Sequence, residues 1–206
     1  MTTILAAIVG INHWLDLTYP FADSIVGRNP NTRLMVIDNE SSPPYPECPL
    51  WETRRIVRCG YNHALNYALT FDADWYVLFN NDCMAHKGFD DLIPTLDKRT
   101  LYGSGWQWSD SFKRQVLYSA WLCMSRELVE AVGEFDPMLD AGFEDFDYQQ
   151  RAIEAGMKVD VLRIDCDHLD KHTRLVEPEY AAKWEKCRQY FTKKWNVPTT
   201  PWGAGA

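Results

Sequence analysis

Nowhere in this chain do apolar residues run uninterrupted for the roughly 18 to 20 positions that a membrane span requires. The longest runs, such as Ile4 to Ile11, are strand-sized, so no span is expected. Cations are in deficit, with 21 Lys and Arg against 29 Asp and Glu for a net charge of -8. A nucleic-acid partner is therefore not expected, because phosphate backbones are held by clustered Lys and Arg. The six cysteines, Cys48, Cys59, Cys83, Cys123, Cys166 and Cys187, contain no C-x-x-C pair and no zinc-ribbon spacing. They read as buried, reduced thiols that behave as small apolar residues. A basic leader with a small-residue cleavage site is also missing from the start, so the chain is expected to be soluble and to stay in the cytoplasm. There is no internal repeat and no low-complexity segment.

What is present is enough for one core: 206 residues, 46% of them hydrophobic, read as a single domain over 1–206. Ile4 to Ile11, Leu34 to Ile37, Trp75 to Phe79, Gln115 to Met124 and Val159 to Ile164 read as buried strands, with a short one at Ile56 and Val57. Helical spacing marks Tyr61 to Phe71, Phe89 to Leu96 and Glu144 to Ala155, and a helix over Trp14 to Val26 is disturbed by Pro20. Ser125 suits the N-cap of a helix closed by Gly133. Pro178 opens a last helix with Trp184, Cys187, Phe191 and Trp195 on one face, and an irregular tail follows. This alternation predicts an α/β sandwich with a mainly parallel central sheet.

Two constellations carry chemistry. Trp75 to Phe79 runs directly into Asn80, Asn81 and Asp82, a polar triplet at a strand's carboxyl end, where open α/β sheets place ligands. Asp82 supplies the kind of oxygen ligand that a hard cation bridging two phosphates needs, although such triplets also simply make turns. The second group is Glu144, Asp145 and Asp147 in the first turn of a helix, where the macrodipole favours anions and a carboxylate can be held as a base. Helix capping accounts for one of the three more easily than for all.

Taken in order, four segments resemble the GT-A (nucleotide-diphospho-sugar transferase) glycosyltransferases of the family-two type, especially the rhamnosyltransferase-like members. They are the first strand, Val36 to Ser42, Leu78 to Asp82, and Gly133 to Asp136 together with Glu144 and Asp145, spanning Ile4 to about His168. The resemblance implies a metal-dependent transfer of sugar from a nucleotide-sugar, with inversion, to a glycan or other hydroxyl acceptor. Asp38 would accept from the base, favouring UDP or dTDP donors, and Asn12, Gly60, Asn62 and Asn66 would line base and ribose. Asn80 and Asn81 belong to a DXD-like element with Asn first, Asn80 facing the ribose and Asp82 binding Mn²⁺ or Mg²⁺. His168 matches a late metal-binding histidine, with His172 competing. Asp145 would deprotonate the acceptor and Glu144 would assist.

Trp106 and Trp108 are placed to stack on acceptor sugar, although their alternate spacing equally suits a strand burying one face. Two other readings stand beside this one. A sugar-phosphate nucleotidyltransferase shares the sheet architecture but needs a glycine-rich basic segment where this chain has Asn12 to Leu15. A non-catalytic carbohydrate-binding module would account for nine tryptophans and an imperfect metal triplet.

Overall fold

Strand β1 (Ile4–Gly10) is buried along its whole length, which requires cover on both faces. Its even residues Ile4, Ala6 and Ile8 join one core cluster with Phe21, Ala22 and Ile25, while Leu5, Ala7 and Val9 join another with Ala64, Leu65 and Ala68. The computed structural model, which describes residues 2–169 and 180–198, supplies that cover as helices on either side of one sheet. Helix α1 (Tyr19–Val26) packs on the first face, and α2 (Tyr61–Leu69), α3 (Arg126–Val132) and α4 (Glu144–Glu154) on the other. Each fully buried large side chain here contributes about 1.5 to 3 kcal/mol.

The remaining strands are β2 (Thr32–Asn39), β3 (Glu52–Ile56), β4 (Trp75–Asn80), β5 (Cys83–Ala85), β6 (Thr100–Ser109), β7 (Arg114–Ser125), β8 (Lys158–Val161) and β9 (Cys166–His168). Seven of them form a sheet in the order β3-β2-β1-β4-β7-β6-β8, in which only β7 runs antiparallel to its neighbours. The α/β sandwich with a mainly parallel sheet is thus present. Chain order reverses beside β1, with β2 on one flank and β4 on the other, and the carboxyl ends at such a switch point form a crevice. β5 and β9 pair separately as an antiparallel ribbon.

Ser125 caps α3 by accepting from the Leu128 amide at 3.1 Å, and Gly133 ends it at φ 84°. The helical stretch over Trp14 to Val26 is present, and it is disturbed just before Pro20, where the π-helical Trp14–Thr18 gives way to α1. Other boundaries differ from the sequence reading. β3 starts at Glu52, hidden because an edge strand of Thr and Arg carries little apolar pattern. Phe89 to Leu96 holds a single 3₁₀ turn over Ile93–Thr95. Pro178 and most of the tail lie outside the described residues.

The last helix, α5 (Tyr180–Trp195), seats Cys187 and Phe191 in a third cluster with Val116, Leu139, Phe143 and Phe146. Beside it, Lys194 Nζ lies 2.6 Å from both Asp136 and Asp147, while Tyr190 donates to Asp136 and Trp195 Nε1 to Asp147. Burial opposes the charge on Asp136, but Lys194, the Met138 amide and Tyr190 outweigh it and hold the carboxyl below its usual range. Burial likewise works against the Lys194 charge, and the two carboxylates overcome it and raise its pKa. Asp136 therefore stabilises the fold fully above an unfolded pKa of about 3.9 and stops doing so as pH falls through its lower folded value. The Lys194 contribution is complete below about pH 10.4 and is lost as pH rises through its higher folded value.

Replacing Lys194 with Met leaves two largely buried carboxylates facing one another. The expected loss is about 3 kcal/mol, the lower end for breaking a buried pair, because Tyr190 and Trp195 still donate. Urea unfolding at neutral pH measures it. A loss below about 0.5 kcal/mol, the size of an ordinary surface change, would show that the clamp does not hold α5.

Candidate active site

The crevice begins with a hydrogen-bonded floor that ties three strand ends together. Asn12, at φ 53° just past β1, receives its backbone contact from Ser41 Oγ, which accepts from the Asn12 amide at 2.8 Å, and its Oδ1 accepts from the Ser42 amide at 3.0 Å. The Tyr45 hydroxyl donates to the Asn12 carbonyl, so Thr18 Oγ1, 3.1 Å away, must donate to Tyr45 and accept from Asn81 Nδ2 at 3.2 Å. Gly10 makes room for this junction, since a Cβ there would lie 2.6 Å from the Tyr45 oxygen. Asn81 consequently points into the floor and is buried, away from the open crevice.

Asp38 is also buried, with Oδ1 accepting from the Ser41 amide at 2.7 Å and Oδ2 from the Tyr45 amide and Arg55 Nη1, each at 3.1 Å. Its carboxylate shapes the loop after β2 and keeps an acceptor position on Oδ1, which receives a single hydrogen bond. Asn62 Nδ2 donates to the Asp136 carbonyl at 2.7 Å, and Asn66 pairs with both the amide and the carbonyl of Phe135. These two amides fasten the segment before α4 to α2. Gly60 presses on that same segment, for a Cβ there would meet the Asp140 Cβ at 2.2 Å. Three residues expected at base and ribose thus serve the scaffold.

Asn80, Asp82 and His168 do converge. His168 Nε2 is 3.1 Å from Asp82 Oδ1 and 3.4 Å from Asn80 Nδ2, and its Nδ1 is 2.7 Å from the Tyr118 hydroxyl. A phenol can donate or accept, so Tyr118 serves either imidazole tautomer. With the proton on Nε2 the ring donates to Asp82. With the proton on Nδ1, a nitrogen lone pair and a carboxylate oxygen face one another, an arrangement that only a cation makes favourable. The pair, with side chains 14% and 7% exposed, offers the nitrogen and oxygen donors that suit Mn²⁺, backed by a partner that fixes the ring. His172 lies outside the described residues.

Across a pocket lined by Tyr61, Asn80, Ser119 and Glu144 stand the acids of α4. Asp145 accepts from Ser119 Oγ at 2.8 Å and from the Phe146 amide at 2.8 Å. Asp147 is not a third candidate base: it is buried against Arg151, Trp195 and Lys194. Between the two groups Tyr61 donates to Asn80 Oδ1 at 2.8 Å. Loss of hydration first, then the nearby Glu144, Cys83, Asp82 and Asp145, raise its pKa well above the usual phenol value and keep it a neutral donor.

The contacts from β7 come from one irregularity. β6 advances from Gly103 to Gly105 while β7 runs from Leu122 back to Tyr118. The Ser104 hydroxyl fills the broken ladder, donating to the Tyr118 carbonyl at 2.8 Å and accepting from the Ala120 amide at 2.9 Å. This bulge sends Tyr118 to His168, Ser119 to Asp145 and the Ala120 carbonyl to the Cys83 thiol at 3.7 Å. Beyond it, Trp106 and Trp108 stand 44% and 55% exposed, so the strand they lie in does not bury them.

Sequence reasoning missed Tyr61, Tyr118, Ser119 and Ser104. A signal existed for the bulge, since glycines at 103 and 105 inside a strand pattern mark such breaks.

No family model matches this chain, and no curated protein matches it in sequence. Solved structures match its fold. GalNAc-T7, solved with UDP, GalNAc and Mn²⁺, superposes with TM-score 0.66 at 14% identity over 82% of this chain. The mannosyltransferase PcManGT of Pyrobaculum calidifontis, in complex with GDP-Man and Mn²⁺, gives 0.65 at 16% identity over 97%, and TarS of S. aureus 0.61 at 14% over 97%. The chain spans 44%, 66% and 41% of those three chains respectively. The fold is therefore that of the GT-A glycosyltransferases.

Tyr118→Phe deletes the partner of Nδ1 while leaving both donor atoms in place. Should the pair hold Mn²⁺, its affinity is expected to fall about 10- to 100-fold, the effect typical of outer partners of metal-bound histidines. Manganese electron paramagnetic resonance measures the free ion, and an unchanged affinity would exclude Tyr118 from positioning the ring.

Proposed function

We propose that this chain is a metal-dependent glycosyltransferase that moves a sugar from a nucleotide-sugar to a hydroxyl acceptor. The observation supporting this reading is that Asn80, which neighbours the metal-suited Asp82 and His168 pair, lines one pocket with Glu144 and with Ser119, the partner of Asp145. The neighbours solved with nucleotides and Mn²⁺ support it.

Asp82 and His168 would hold Mn²⁺ or Mg²⁺, which when bound neutralises charge on the diphosphate leaving group. Asn80, fixed by Tyr61, faces the donor from the same strand end. Asp145 takes the acceptor proton while that oxygen attacks the anomeric carbon, and the bond to the diphosphate breaks with its electron pair leaving on the nucleotide. Attack from the side opposite the leaving group inverts the anomeric centre. Ser119 orients the base, and Glu144, lining the pocket, positions the acceptor hydroxyl. Trp106 and Trp108 offer flat faces for further acceptor sugars, since Leu117, opposite Trp106, lies about 7 Å along β7 from Ser119. Asp38, with acceptor capacity left on Oδ1, would accept from the base.

A nucleotide-sugar panel tests the assignment. Binding is expected only with Mn²⁺ or Mg²⁺ and is expected to vanish in Asp82→Ala. Asp145→Asn is expected to lower the transfer rate on the order of 10²- to 10⁴-fold with donor affinity retained. Full transfer by folded Asp145→Asn would remove it as the base, and metal-independent donor binding would remove Asp82 and His168 from the mechanism.

A further inference from the structure

The ribbon of β5 and β9 assembles a donor set that no spacing in the sequence announces. Cys83 lies opposite His168 and Ala85 opposite Cys166, so these four side chains share one face of the ribbon. Asp82, Cys83 and His168 each present a ligand atom, and the three atoms lie within 4.8 Å of one another. Ligands of a tetrahedral cation stand roughly 3.3 to 3.8 Å apart, so small side-chain rotations complete the set. Cys83 is buried, its Sγ 3.7 Å from the Ala120 carbonyl oxygen.

The third donor is sulfur, and that changes which ion the set suits. Oxygen-only donors suit Mg²⁺ and Mn²⁺, whereas a thiolate beside an imidazole selects Zn²⁺, which also stands well above Mn²⁺ in general affinity. A disulfide between Cys83 and Cys166 is the competing fate for the sulfur. The two occupy diagonal positions on an antiparallel pair, where Cα atoms are about 7 to 8 Å apart. That is beyond the roughly 6.8 Å reach of a relaxed disulfide, so the two thiols lack the geometry to bond.

We propose that Asp82, Cys83 and His168 form a thiolate site for Zn²⁺, which competes with the hard cation of the donor complex for Asp82 and His168. As the sulfur–metal bond forms, the Cys83 proton leaves to solvent. His168 ligates through Nε2 while Nδ1–H donates to Tyr118, and Cys166 stays outside the set. Three protein ligands leave a fourth position for water. Zn²⁺ held in this way blocks Mn²⁺ or Mg²⁺ and so restrains transfer. The inference rests on the reading of Asp82 and His168 as a metal pair, and not on transfer itself.

The test titrates the full chain with Co²⁺ alone, as a spectroscopic substitute for Zn²⁺. Expected is a near-ultraviolet sulfur-to-cobalt charge-transfer band with strong tetrahedral visible absorption, bleached by Zn²⁺ and not by Mg²⁺. Cys83→Ser is expected to lose the band and to weaken Zn²⁺ at least about tenfold, while Mn²⁺ affinity moves by less than about twofold. Cys166→Ser is expected to keep the band. A weak octahedral spectrum without a sulfur band in the unmodified protein, which needs no variant to fold, would overturn the proposal. So would a band retained in folded Cys83→Ser, or one lost with Cys166 instead. A sulfur band without Mn²⁺-dependent nucleotide-sugar binding leaves the zinc site standing and removes the transferase reading. Donor binding without the band does the reverse.

Discussion

The hydroxyl of Ser104 mends a gap in a sheet, and the crevice is arranged around that repair. Because it accepts from the Ala120 amide and donates to the Tyr118 carbonyl, β7 can carry extra residues there without leaving those groups unpaired. Three consecutive residues beside that repair serve different ends. One backs the imidazole, the next orients a carboxylate, and the carbonyl of the third touches a thiol.

A second constraint is the cost of gathering negative charge. Asp38, Asp82, Glu144, Asp145 and Asp147 all lie near the carboxyl edge of the sheet, and the structure divides their tasks by burial and partner. Asp38 and Asp147 are neutralised by donors and act as joints of the scaffold. Asp82 and Asp145 remain at the crevice, separated by the neutral phenol of Tyr61. A cation near Asp82 therefore relieves a repulsion built into the fold, in addition to meeting the charge of a diphosphate.

Most of the fold was legible because β1, β2 and β4 are buried on both faces and read as unbroken apolar runs. Asp82, His168 and Asp145 were legible as types at strand and helix ends. What escaped was long-range. Asn62 and Asn66 follow a promising glycine, yet their amides are consumed by the backbone of residues 135 and 136, a pairing set by packing. Asp38 stands where a base reader is expected, and only the return of the loop to Tyr45 reveals that the same carboxylate also shapes that loop. Cys83 and Cys166 are far apart in the chain and adjacent in the ribbon, so cysteine spacing carried no trace of them.

Phe143 sits at φ 71° immediately before α4, a conformation costing of order 1 to 3 kcal/mol for such a residue. No side chain caps the helix there. The ring is held instead against Trp184 and Phe191 of α5, with centroids 5.3 and 5.2 Å away. The direction of the turn bearing Glu144 and Asp145 is thus a tertiary property, which local preference opposes. During synthesis, the ribosome releases that turn well before it releases α5. The acid end of the crevice therefore lacks its aromatic support until α5 has been made.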